Sequence, residues 1–151
     1  MANSLKRFIE NHKLSAEFIE LPPEQARTSE SAAAALKVPV NQIAKSIVLK
    51  GSRTYVVVLA GGKRVDLKKF SKWVGESVRL ATPDEVQRET GFRVGCVPPF
   101  GHIRKLKTFV DVSVFENQVI YASGGEDNLL IMLFPSDLLK VSDRQVVDVS
   151  R

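Results

Sequence analysis

The chain has 151 residues and a net charge of +5, with 44% hydrophobic and 26% charged residues. That composition is ordinary for a folded domain and excludes disordered, fibrous and disulfide-framework classes; the one cysteine, Cys96, has no internal partner. The basic balance suits a polyanionic partner such as nucleic acid, although a lysine-rich solvated surface gives the same count.

In chain order, residues 1–10 mix charge with apolar side chains and show neither a signal core nor a small-residue cleavage site. Leu5, Phe8, Ile9 and His12 are spaced as one face of a helix, with Asn3 or Ser4 as its cap. Residues 16–21 read as a strand stopped by Pro22-Pro23. Thr28 is the expected cap of a helix over 31–36, which Pro39 ends. A helical turn over 41–45 leads into a strand at 46–49. Residues 55–60 are almost all β-branched or apolar, the mark of a strand buried on both faces. Gly61-Gly62-Lys63 lacks the spacing of a phosphate-binding loop and reads as a hairpin turn.

Asp66 caps a helix through Leu67, Phe70 and Val74, with Gly75 near its end. A short strand at 78–80 precedes Thr82-Pro83-Asp84-Glu85, a capping box with proline at the first helical position; Gly91 closes that helix. After a loop at 95–102 come strands at 108–114, 119–122 and 129–134. Pro135-Ser136-Asp137 then opens a last short helix. The longest apolar run, 129–135, is far too short to span a bilayer. Helices and strands mix without strict alternation, so the expected class is α+β with a mixed sheet, one cytoplasmic domain over residues 1–151.

Four places are candidates for chemistry. Lys45 precedes the apolar run Ser46-Ile47-Val48-Leu49; a partly desolvated ammonium there polarises a carbonyl or donates to an oxyanion, but a lysine running past a strand end looks the same. Gly95-Cys96-Val97-Pro98-Pro99-Phe100-Gly101 is a stiff, irregular loop that suits backbone amides facing a ligand, or simply a tight connection. Cys96 and His102 form a possible thiol and base without spacing that enforces contact. Ser123-Gly124-Gly125 offers either backbone donors or a hairpin turn. Arg104, Lys105 and Lys107, with Lys68, Lys69 and Lys72, are candidates for phosphate contacts. One cysteine and two histidines argue against a metal site, and no cofactor is expected.

Taken together, Ala44-Lys45-Ser46-Ile47-Val48-Leu49, Arg64-Val65-Asp66-Leu67-Lys68-Lys69, the Gly95 to Gly101 loop and Ser123-Gly124-Gly125 occur in one order that resembles the YbaK/ProX family, the editing domains associated with prolyl-tRNA synthetase. The resemblance spans roughly residues 14–139. It implies a mixed β-sheet, partly closed into a barrel and flanked by helices. It also implies a free-standing enzyme that removes a wrong amino acid, cysteine or another small one, most typically from tRNA for proline. By the same resemblance, Lys45 matches the family's essential lysine, and Gly95 and Pro99 match its Gly-x-x-x-Pro loop. Ser123, Gly124 and Gly125 match a segment of the pocket wall, and Thr28 and Ser46 fall beside the substrate. The chain departs from the family at Cys96, where glycine is usual, and at Pro98, where serine is common. No histidine follows Ser123-Gly124-Gly125, as one does in some alanine-specific members. Two other readings stay open: a non-catalytic tRNA-binding or synthetase-associated module, and a Cys96 hydrolase.

Overall fold

A computed structural model describes residues 2–141 and 144–151. Helix α1 (Ala2–Asn11) buries Leu5 and Ile9, as their spacing requires. Strand β1 (Glu17–Glu20) follows. Pro22-Pro23 stops β1, and Pro23 also opens a single helical turn, α2 (Pro23–Ala26), because its fixed φ suits the first helical position. Thr28 caps α3 (Ser29–Leu36): its Oγ1 accepts the Ser31 N–H at 3.0 Å, and the Ser31 hydroxyl oxygen accepts the Thr28 N–H at 3.1 Å.

The helical turn expected at 41–45 is a shorter 3-10 turn (Val40–Gln42), so β2 (Ala44–Lys50) starts early and Lys45 is a strand residue. Strand β3 (Thr54–Ala60) is buried along its whole length. Gly61-Gly62 turns the chain out of the sheet toward α4 (Leu67–Val74) and is not a hairpin. Asp66 caps α4, accepting the N–H groups of Lys68 and Lys69 at 3.1 and 3.2 Å. Strand β4 (Arg79–Leu80) and α5 (Pro83–Thr90) come next, the latter with its capping box and with Gly91 left-handed at φ 83°.

Strand β5 (Lys107–Asp111) is shorter than expected. The Asp111 carboxylate accepts the Ser113 N–H at 3.1 Å and turns the chain into a 3-10 segment (Val112–Glu116). Strands β6 (Ile120–Ser123) and β7 (Leu129–Leu133), a 3-10 segment (Pro135–Lys140) and β8 (Arg144–Val147) complete the chain.

The strands divide into two sheets. One is antiparallel, in the order β1-β7-β6. The other is mixed, in the order β4-β2-β3-β5-β8: β4, β2 and β3 are antiparallel neighbours, whereas β3-β5-β8 run parallel. A parallel bridge from Ile43 to Tyr121 joins the sheets without closing a barrel. The α+β class and the flanking helices are as the sequence implies.

β3 sits between two apolar layers. Val56 and Val58 join Leu5, Val86, Phe92, Phe100 and Ile131 on one face. Tyr55, Val57 and Leu59 join Phe70 of α4, Phe109 and Val147 on the other. Each fully buried side chain of this kind contributes about 1.5–3 kcal/mol of transfer free energy, so β3 is the rigid axis from which β2 presents its residues.

Candidate functional site

Because β4 reaches only Leu49 and Lys50, the outer edge of β2 is unpaired further back. The Val48 carbonyl accepts the Ala81 N–H at 3.0 Å on that outer side, while the Ile43 carbonyl accepts the Gly61 N–H at 2.6 Å on the β3 side. Alternation along an antiparallel strand therefore turns the main-chain N–H and C=O of Ser46 to the open edge. That edge borders a cleft of about 710 Å³. Ala32, Ile43, Ala44, Val48, Ala122 and Leu130 supply its apolar lining. Thr28, Lys45, Ser46, Gly95, Cys96, Val97 and Ser123 also line it.

Gly61 is what lets the cleft wall close. A Cβ there would stand 2.7 Å from the Val40 carbonyl oxygen and 2.9 Å from Ser29 Cβ. Only glycine allows the N-terminus of α3 to dock at this distance from the end of β3. The Thr28 hydroxyl is engaged in the cap of α3, which fixes that end of the wall. On the opposite wall, Gly95 has φ 84°, a left-handed turn that L side chains rarely adopt, and nothing crowds its Cβ position.

The sequence-derived set does not all meet here. Pro98, Pro99, Phe100 and Gly101 lie behind the lining. Phe100 is fully buried and stacks on Phe8 with ring centroids 5.5 Å apart. Arg144 donates to the Pro99 carbonyl at 2.7 Å. A Cβ on Gly101 would press on Leu5 at 2.9 Å. Gly124 and Gly125 form the β6–β7 hairpin: the Gly124 N–H donates to the Leu129 carbonyl at 2.9 Å, and the Gly125 N–H to the Ser123 hydroxyl at 3.2 Å. Arg27, Arg93, Glu126 and Asp127 rim the cleft. Sequence reasoning missed these four because none has a motif of its own; Arg93 and Asp127 are paired at 3.6 Å across an exposed edge.

Lys45 leaves β2 on the face shared by Ile47 and Leu49, and it lines both this cleft and a neighbouring one. Burial lowers its pKa from 10.5; Glu30, in the first turn of α3, opposes that shift, and Arg64 reinforces it. Among the described residues Lys45 has no carboxylate within ion-pair distance. The Ser46 hydroxyl is buried with no hydrogen-bond partner among them either.

Burial pushes the Cys96 thiol up, away from the thiolate form. Burial also lowers the His102 imidazole to about 4, and its Nε2 is 2.8 Å from the Pro98 carbonyl, a partner that requires the proton to stay on that nitrogen. A neutral thiol and a neutral, committed imidazole do not make a nucleophile and base. Among the described residues no cluster of His, Cys, Asp and Glu is arranged to hold a metal ion, and no helix is long and apolar enough to cross a membrane.

A lysine beside an open strand edge, an apolar lining and a left-handed glycine turn thus meet at one cleft of a two-sheet α+β frame. The chain belongs to the aminoacyl-tRNA editing domain family, whose model matches residues 23–141, and hydrolytic editing is the activity of that family. Among its relatives is the multifunctional Ser/Thr-tRNA deacylase ProXp-y of Escherichia coli (strain K12), 31% identical over 120 residues, 74% of this chain and 71% of that one. The Bacillus subtilis (strain 168) protein YwhH is 33% identical over 127 residues, covering 82% and 81%. A proline–tRNA ligase from Thermotoga sp. (strain RQ2) matches 62% of this chain at 34% identity, but the match is only 18% of the ligase. A crystal structure described as a candidate trans-editing enzyme for prolyl-tRNA synthetase superposes with a TM-score of 0.92 at 34% identity, covering 99% of this chain and 96% of that one.

Proposed function

We propose that the chain hydrolyses the ester joining a small, wrongly attached amino acid to the 3′ end of tRNA, with tRNA for proline the foremost substrate. The observation that carries this reading is Lys45, a partly desolvated cation without an ion-pair partner among the described residues, at the wall of a largely apolar cleft. An ester of aminoacyl-tRNA is already activated, so positioning and oxyanion stabilisation suffice, and one such donor is worth about 10²- to 10³-fold in rate.

In the step proposed, a water oxygen adds to the ester carbonyl carbon. The carbonyl electron pair moves onto oxygen, facing Lys45 and the open N–H of Ser46. Collapse of that intermediate breaks the bond to the ribose oxygen, which takes up the proton the water releases, leaving free amino acid and intact tRNA. The cleft lining contains no carboxylate–imidazole pair among the described residues, so solvent or the substrate's own groups carry the proton. Amides at Gly95 and Val97 hold the ribose end, while the Cys96 N–H donates to the Arg93 carbonyl at 2.9 Å and fixes the loop. Thr28 and Ser123 shape the walls, while Pro98, Pro99, Phe100, Gly101, Gly124 and Gly125 brace the loops behind.

Selection for small side chains answers a physical limit. A synthetase pocket separates substrates differing by one methylene by only about 1–3 kcal/mol, so a second sieve is needed. The relatives named as Ser/Thr-tRNA deacylase and as proline–tRNA ligases support both the substrate class and prolyl-tRNA synthetase as the enzyme whose errors are corrected. The test is a panel of seryl-, threonyl-, cysteinyl-, alanyl- and prolyl-tRNA for proline. At least one small-residue ester is expected to decay far above its spontaneous rate while cognate prolyl-tRNA survives. Spontaneous decay of the whole panel despite measurable tRNA binding would make the chain a binding module instead.

A further inference from the structure

A second cleft, of about 690 Å³, shares Lys45 as a wall with the first. Its lining differs sharply in charge. Arg64, Lys68 and Arg151 converge on it with Lys45, and Asp66 is the one carboxylate in the lining. Its Oδ1 accepts the Lys68 and Lys69 N–H groups that open α4, and the charges of Lys69 and Arg151 help keep it ionised, so it offsets one of the cleft's cations. Among the described residues, none of Arg64, Lys68, Arg151 and Lys45 has an acidic partner within ion-pair distance, and the first three are exposed. Four like charges brought together repel one another, and a bound polyanion relieves that repulsion by displacing counterions. The backbone holds the group in place: Arg64 and Arg151 exchange N–H···O=C bonds at 3.0 and 2.8 Å, and Val65 pairs with Ser150.

We propose that this second cleft binds the phosphates of the single-stranded 3′ end of tRNA through Arg64, Lys68 and Arg151. The inference rests on the reading of the first cleft as the seat of the aminoacyl group. An ester held at Lys45 brings the last nucleotide within reach of both clefts, because that lysine lines each of them. The cations of the second cleft match the strand's charge. The first cleft offers an apolar lining and a rim where Arg93 is paired with Asp127 and Arg27 is the remaining arginine, fewer cations for phosphate than the second cleft gathers.

The test needs no catalysis. Binding of an uncharged RNA minihelix ending in single-stranded CCA, and of the same minihelix without CCA, is measured by fluorescence anisotropy across a salt series. The proteins are wild type, Arg64→Gln/Lys68→Gln, and a control pair, Lys6→Gln/Arg7→Gln on α1, that removes the same net charge elsewhere. The cleft pair is expected to lose about tenfold in affinity for the CCA-ended RNA. Its log–log salt slope should flatten by about 1.4, two contacts at roughly 0.7 each for a single strand, and the preference for CCA over the blunt RNA should disappear. Affinity and slope equal to wild type, or equal to the control pair, would overturn the proposal. Deacylation of mischarged tRNA by the wild-type protein reports separately on the first cleft.

Discussion

Lys45 is held against its own solvation, and that has two measurable consequences. Its pKa is lowered in the folded chain, so between the lowered value and 10.5 the unfolded state binds more protons, and stability rises with pH through that window. Below the window both states are protonated and the folded state bears the full desolvation penalty. Lys45→Met is therefore expected to unfold at the same or a higher temperature than wild type at neutral pH; a clearly lower midpoint would contradict the electrostatic account. The second consequence concerns the rate. If the protonated ammonium stabilises the oxyanion, enzymatic deacylation above the spontaneous background falls as pH rises through the lowered pKa. Glu30 raises that pKa, so Glu30→Gln should move the alkaline limb to lower pH in a rate–pH profile. An unmoved limb would mean that another group titrates.

The elements explain which parts of this arrangement the sequence displays. Caps are written in short spacings: the box at Thr82–Glu85 forms as read, and Thr28 caps its helix as expected, with Ser31 closing a box that the spacing alone did not announce. Thr28→Ala removes the α3 cap and is expected to lower stability by about 1 kcal/mol, a midpoint shift of about 2–4 °C for a chain of this size, in a denaturation curve. The run 55–60 also shows its two-sided burial directly. Other features are set by partners distant in sequence. The single turn of α2 has no apolar periodicity to betray it, since none of its residues is buried. Strand β8 is a short edge strand with only Val147 buried, recognisable through its pairing with β5. The early start of β2, which puts Lys45 in a strand, comes from the register against β3. The loop at 95–101 was legible as special but not in its division of labour: Gly95, Cys96 and Val97 face the cleft, while Phe100 is buried in the core. The second basic cleft was hidden because Arg151 reaches Arg64 only through the fold.

At the scale of the molecule, one residue joins two environments. The sheet places Lys45 between a largely apolar cleft and a cationic one, and the two apolar layers around β3 hold that boundary rigid. The net charge of +5 is thus not spread evenly in effect, because Arg64, Lys68 and Arg151, without ion-pair partners among the described residues, gather in the cleft beside Lys45. In the proposed arrangement the selective contacts lie on one side of the ester and the affinity on the other. The most direct test of the central claim is the single-turnover rate of a mischarged tRNA found active in the substrate panel, measured with wild type and with Lys45→Ala at equal folded concentration. The account predicts a fall of about 10²- to 10³-fold, the worth of one oxyanion donor, with the unfolding midpoint no lower. A Lys45→Ala protein that deacylates at the wild-type rate would contradict it.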